Sequence, residues 1–176
     1  MRTTIAILLV LVSISVFSYR GYRKTIFKKE VTGYLVRAAN ASSVKIAKGE
    51  LKIALDYLEA NNMTSGYTSA LYNTPDEDIA FWYTNLKSSY DGLNEADSAS
   101  SLEKTNLLIK LRETIMVRGG EGREKVTVPD ALYLHPNNVA WAWGTLLALG
   151  GLFGGLLLFI PPEEWKKGKN ATNNAT

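Results

Sequence analysis

Apolar positions fall along this chain in three patterns: two long uninterrupted runs, several stripes at helical spacing, and one loose alternation. The longest run is Val139 to Ile160, VAWAWGTLLALGGLFGGLLLFI, 22 residues without a charge. At 1.5 Å per residue a helix of that length reaches roughly 33 Å, enough for a hydrocarbon core of about 30 Å. Asn137 and Asn138 suit its capped start and Pro161-Pro162 its stop. Trp141 and Trp143 near one end, and Trp165 past the other, suit headgroup layers, where amphipathic rings collect. A buried core helix is the competing reading, but 176 residues could hardly enclose so apolar a helix on every side. The run predicts a transmembrane helix.

The second run, Thr3 to Tyr19, has 17 residues between Arg2 and Arg20, short for a span. It reads as an uncleaved anchor. A signal peptide cut before Tyr19 is the alternative, with Val16 and Ser18 as acceptable flanking residues and a poor small-residue pattern. Arg20, Arg23, Lys24, Lys28 and Lys29 follow, interleaved with Tyr19, Tyr22 and Phe27. That mix fits a helix leaving the membrane along its interface, or a solvated juxtamembrane turn.

Between the runs the period is helical. Val31, Tyr34, Leu35 and Ala38 recur at steps of three and four and could continue the first helix. Ser43 caps a helix to Ala60 whose stripe is Val44, Ala47, Leu51, Ala54, Leu55 and Leu58. Met63 to Asn73 reads as a loop; packing is the commoner role for its Tyr67 and Tyr72, ligand contact the rarer. Thr74-Pro75-Asp76-Glu77 predicts a capping box opening a helix to about Leu93. A Ca²⁺ or Mg²⁺ site at Asp76, Glu77 and Asp78 is the weaker reading, since the spacing lacks alternating oxygen ligands. The stripe of this helix is Ile79, Trp82, Leu86, Tyr90 and Leu93. Phe81 and Tyr83 widen it into an aromatic face, and Trp82, Tyr83 and Tyr90 are the candidate partner contacts. Ser100 to Glu103 repeats the capping box, and that helix is expected to run to Arg118 and stop at Gly119-Gly120. The short link from Asn94 to Ser100 predicts antiparallel packing of the two. Val126, Val128, Leu132 and Leu134 alternate, interrupted by Pro129-Asp130, and predict an extended segment or short edge strand.

The predicted fold is therefore mainly α: two transmembrane helices flank a small helical-bundle domain with a short extended segment. Its parts are an anchor over 1–19, a basic and helical extension over 20–41, the domain over 42–138, the second span over 139–160 and a polar, disordered tail over 161–176. Orientation signals conflict. The basic stretch after the first run places the middle region in the cytoplasm, whereas Lys166, Lys167 and Lys169 place the tail there. Long domains translocate largely regardless of charge, so termini inside and the middle domain outside is the preferred arrangement.

Composition removes whole classes of chemistry. The chain has no Cys, hence no disulfide, thiol nucleophile or thiolate metal site. Its one His, His135, beside the second run, reads as a solvated interfacial residue. A net charge of +3 is too small to argue for nucleic acid, and the basic residues beside the apolar runs point to lipid headgroups. No cofactor or metal site is expected, and no P-loop, paired-His or Gly-x-Ser-x-Gly pattern supports an enzyme. If carboxylates did meet in space, Asp76, Glu77, Asp78 and Glu113 are the ones to examine. Gly150, Gly151, Gly154 and Gly155 form two overlapping small-x-x-x-small pairs, the spacing that lets a second helix approach closely. The first span is the preferred partner of those glycines, and a homodimer through the second span is the alternative.

Gly33 to Asn40 (GYLVRAAN), Thr74 to Asp78, Phe81-Trp82-Tyr83, Asn85-Leu86-Lys87, Leu111 to Thr114 and Val126 to Pro129 resemble a family of uncharacterised bacterial membrane-anchored proteins over roughly 33 to 138. The resemblance implies a bacterial source, hence the inner membrane, and no activity. The expected function is non-enzymatic: a helical domain held at the bilayer for interaction with a protein partner. A ligand-sensing or accessory subunit of a transport or signalling complex is the alternative.

Overall fold

A computed structural model describes residues 1–69, 71, 73–122 and 124–160. The expectations placed on Tyr72, Trp165, the C-terminal lysines and the tail lie outside the described residues.

The chain is mainly helical, and two of its helices are long and apolar enough to cross a membrane. α1 (Arg2–Phe27) runs on through a widened turn, Lys28–Thr32, into α2 (Gly33–Ala39), so the apolar run and the stripe after it form one 38-residue helical stretch. At the widened turn Gly33 N–H donates to Lys28 O, five residues back, and a Cβ on Gly33 would lie 3.3 Å from that oxygen. α6 (Asn138–Phe159) coincides with the second run. The chain packs as two units: Met1–Gly21 with the chain from Ala140 onward, and Tyr22–Val139.

The second unit holds the main core. α3 (Val44–Ala60) begins at the expected Ser43 cap, whose side chain accepts from Ile46 N–H. Its stripe buries Ala47, Leu51, Ala54, Leu55 and Leu58 against α2 and α4 (Ile79–Glu95), each buried leucine contributing about 2 kcal/mol. α4 faces α3 and α5 (Ser101–Ile115) through Ile79, Trp82, Leu86 and Leu93. α5 starts on a complete capping box: Ser100 Oγ accepts from Glu103 N–H at 3.3 Å, and Glu103 Oε2 accepts from Ser100 N–H at 2.7 Å.

Two expectations need correcting. Thr74 does not cap α4. It precedes a single 3₁₀ turn, Pro75–Glu77, and its hydroxyl donates to Glu77 Oε2, while Asp78 is the N-cap, accepting from Phe81 N–H at 3.1 Å. The loop wins the backbone here: Thr68 N–H donates to Glu77 O and Ile79 N–H to Gly66 O, so residues 77 to 79 bond across to the loop before the helix begins. Nor does the second helix reach Arg118. It ends at Ile115, and β1 (Met116–Arg118) pairs antiparallel with β2 (Glu124–Val126), with Met116 opposite Val126. Thr127 N–H donates to Ile115 O at 2.7 Å and prolongs the ladder. Gly119-Gly120 thus begins a hairpin loop rather than a helix stop, and Gly122, at φ +71°, turns the chain back.

Candidate functional site

Within the first unit, α1 and α6 meet along a seam of small groups. Ser13 is buried, and its hydroxyl donates to Ala148 O at 2.7 Å and to Leu9 O at 2.8 Å. That satisfies a group whose burial without an acceptor would cost several kcal/mol. Ala148 is buried, and so is Ala6 two turns before Ser13 on α1. A Cβ on Gly151 would stand 3.1 Å from Ser13 Oγ, and one on Gly155 would stand 2.9 Å from Val10 Cγ2 and 3.1 Å from Ala6 O. The four glycines therefore divide: Gly151 and Gly155 lie against α1, whereas Gly150 and Gly154 meet nothing within 4 Å. At one end of the seam Tyr19 stacks on Trp141 with ring centroids 5.0 Å apart, and the Arg20 guanidinium donates to Thr145 Oγ1.

Within the second unit a trough of about 690 Å³ opens between the first turns of α4, the end of α5, the hairpin and the segment after it. Trp82 lies in its wall, buried, and its indole N–H donates to Thr127 O at 2.7 Å, tying α4 to the end of the hairpin. Leu86, Met116, Val126 and Val128 supply more apolar surface, and Phe81, 66% exposed, stands at the lip. The carboxylates singled out from sequence, Asp76, Glu77, Asp78 and Glu113, all line this trough together with Asp130. Lys125 is the one cation among its lining residues. Among the described residues no group of three or more His, Asp and Glu is placed to hold a metal ion.

Of the three aromatic candidates only Trp82 lines the trough. Tyr83 donates its hydroxyl to Glu59 on α3, and burial, reinforced by that carboxylate, pushes its pKa up to about 12. Tyr90 packs half-buried beside the core with the Lys87 ammonium 5.3 Å from its ring centre. Both link helices to each other or to their own surface. Phe81, the other aromatic of that face, is the one presented to water.

The start of α6 is clasped to the loop between α3 and α4. Asn138 Nδ2 donates to the carbonyls of Tyr67, Thr68 and Ser69 at 3.2, 2.9 and 2.9 Å. His135 is half-buried rather than freely solvated. Its ring packs on Gly66, where a Cβ would come within 3.2 Å of Cε1, and its Nδ1 is buried without a hydrogen-bond partner among the described residues. Desolvation lowers its pKa, against a smaller opposing hydrogen bond with the Tyr67 backbone.

Ser13, the clasp that Asn138 makes and the pairing of β1 with β2 were missed from sequence. Ser13, seven residues from Ala6 in an apolar run, was the available sign of the seam. Comparison with protein-family models, with curated proteins and with solved structures found no match. The family resemblance over residues 33 to 138 gains no support there and carries no weight in the functional reading.

Proposed function

We propose that this chain is a non-enzymatic integral membrane protein of two spans that presents its helical domain for protein interaction or scaffolding. The observation that carries the reading is the open trough around Trp82, on a domain whose chain leads at both ends into an apolar helix. Support for insertion comes from the outward side chains of those helices. Leu8, Val12, Leu147 and Phe153 are each more than half exposed, and so wide an apolar face is costly in water. Termini inside and the domain outside is the arrangement preferred here. Gly150 and Gly154 leave room for a second copy on the outer side of α6.

A ligand-sensing or accessory role is the second reading. It is favoured by the bonded path from Asn138, the first residue of α6, through Thr68 to Glu77 in the trough wall. Thermal-shift screening of the whole protein against small molecules and metal ions tests it, and a flat response throughout counts against it.

The test of the main reading uses the lack of native cysteine. In intact cells, an impermeant thiol reagent should label Ser98→Cys and spare Asn173→Cys; the reverse pattern would put the domain in the cytoplasm. A photo-crosslinking residue in place of Phe81 should then give one discrete protein adduct that the same residue at Ser88 does not. An inserted protein silent at both positions would sink the interaction reading.

A further inference from the structure

We infer that the trough takes a cationic, apolar-bearing peptide segment of a partner protein, an inference that rests on the interaction-module reading above. Five carboxylates line it against one ammonium, a formal −4 in a chain whose overall charge is +3. Two of the five are held by local structure, Glu77 by the Thr74 hydroxyl and Asp78 as the cap of α4. The other three, Asp76, Glu113 and Asp130, are exposed, and no ion pair among the described residues engages them. Among the described residues, Lys125 is the one cation that lines this rim. Between the carboxylates lies apolar surface, and the lip carries Phe81 and Val117, 66% and 43% exposed. Apolar contact with the wall supplies non-directional attraction, while the rim selects the sign of charge and speeds encounter. A small ligand is ordinarily enclosed over most of its surface. This trough is open to water and runs along two kinds of element, the shape that suits a length of chain.

The occupant's chemistry follows: Lys or Arg side chains to reach Asp76, Glu113 and Asp130, alternating with aliphatic ones to lie on Trp82 and Val128. The probe is a fluorescein-labelled peptide alternating lysine and valine, with a glutamate–valine peptide and a serine–valine peptide as references. Full-length protein in phosphatidylcholine nanodiscs is titrated by fluorescence anisotropy, with empty nanodiscs subtracted. The lysine peptide should bind saturably, and more weakly as salt shortens the Debye length below about 10 Å. The double variant Asp76→Lys/Asp130→Lys should lose about tenfold or more in affinity and begin to take the glutamate peptide. Asp76→Asn/Asp130→Asn should show an intermediate loss, and unchanged melting of both variants shows that the fold is kept.

Equal binding of the three peptides, or a lysine-peptide affinity indifferent to both double variants, overturns the inference. If the serine peptide binds as well as the lysine peptide and Phe81→Ala abolishes both, the interaction surface stands and its charge preference is wrong. If no peptide binds and the crosslinker at position 81 is also silent, both readings fail together. Binding by a second copy would appear as a concentration-dependent dimer that Asp76→Lys/Asp130→Lys dissolves, and it too would overturn a separate partner.

Discussion

At the residue scale, single atoms decide which glycines matter. Gly155 faces the Ala6 carbonyl, a backbone atom that cannot swing aside, and a methyl group there must push two helices apart. Gly155→Ala should therefore cost about 1–3 kcal/mol, the usual penalty for overpacking, and lower the melting temperature in micelles. Gly154→Ala, which meets open space, should leave melting nearly unchanged. Equal effects at the two positions would refute this division. Ser13→Ala should cost roughly 0.6 kcal/mol, the mean for a side-chain hydrogen bond between membrane helices. His135 adds a pH dependence. Its pKa is lower folded than unfolded, so the fold favours the neutral ring: that stability is fully present above the unfolded value of 6.5 and is lost as pH falls through the lower folded value. Melting should drop on acidification below about pH 6.5, and His135→Gln should flatten the drop over the range above the carboxylates.

At the scale of elements, the helices were legible where stripe and cap agreed. Ser43 and Ser100 mark their helices to the residue, because nothing competes for the first-turn N–H groups they satisfy. Thr74-Pro75-Asp76-Glu77 carries an equally good cap pattern and fails, because the backbone of residues 77 to 79 is already bonded to Gly66 and Thr68. Those partners lie some ten residues away, beyond the reach of a local pattern. Asp78→Ala should accordingly cost about 1 kcal/mol in α4, and Thr74→Ala clearly less. Circular dichroism melts of the two variants read the difference directly, and a larger loss at Thr74 would restore the local cap. The hairpin was hidden for a related reason. Met116 and Val117 extend the apolar rhythm of α5, and only their pairing with Val126 and Lys125 marks them as strand. The trough was therefore illegible as a site, although four of its five carboxylates and Trp82 had each been singled out. Sequence named the residues, and the hairpin it could not foresee gathers them.

At the scale of the whole molecule, the two units rest on different physics. The second buries leucines and isoleucines on one another, and its stability follows area removed from water. The first buries little, and small residues line its seam: Ala6 and Ala148 are buried, Gly151 and Gly155 lie close against α1, and the Ser13 hydroxyl bonds across to α6. Denaturants that weaken apolar burial should accordingly melt the second unit ahead of the first; the exchange of α6 amides, set beside that of α3 amides, separates the two. A single coincident transition would argue for one cooperative unit instead.

The bond from Asn138 to the carbonyls of residues 67 to 69 also sets an order of events during synthesis. Those carbonyls leave the ribosome about seventy residues before the side chain that holds them. Until then the loop lacks its clasp, and the backbone of Glu77 and Ile79 pairs with an unsecured neighbour. A nascent chain arrested short of position 138 should show helix α3 protected from deuterium exchange while the amides of Thr68 and Ile79 still exchange freely. The backbone frame around Glu77, in the wall of the trough, is then completed only when α6 begins to appear.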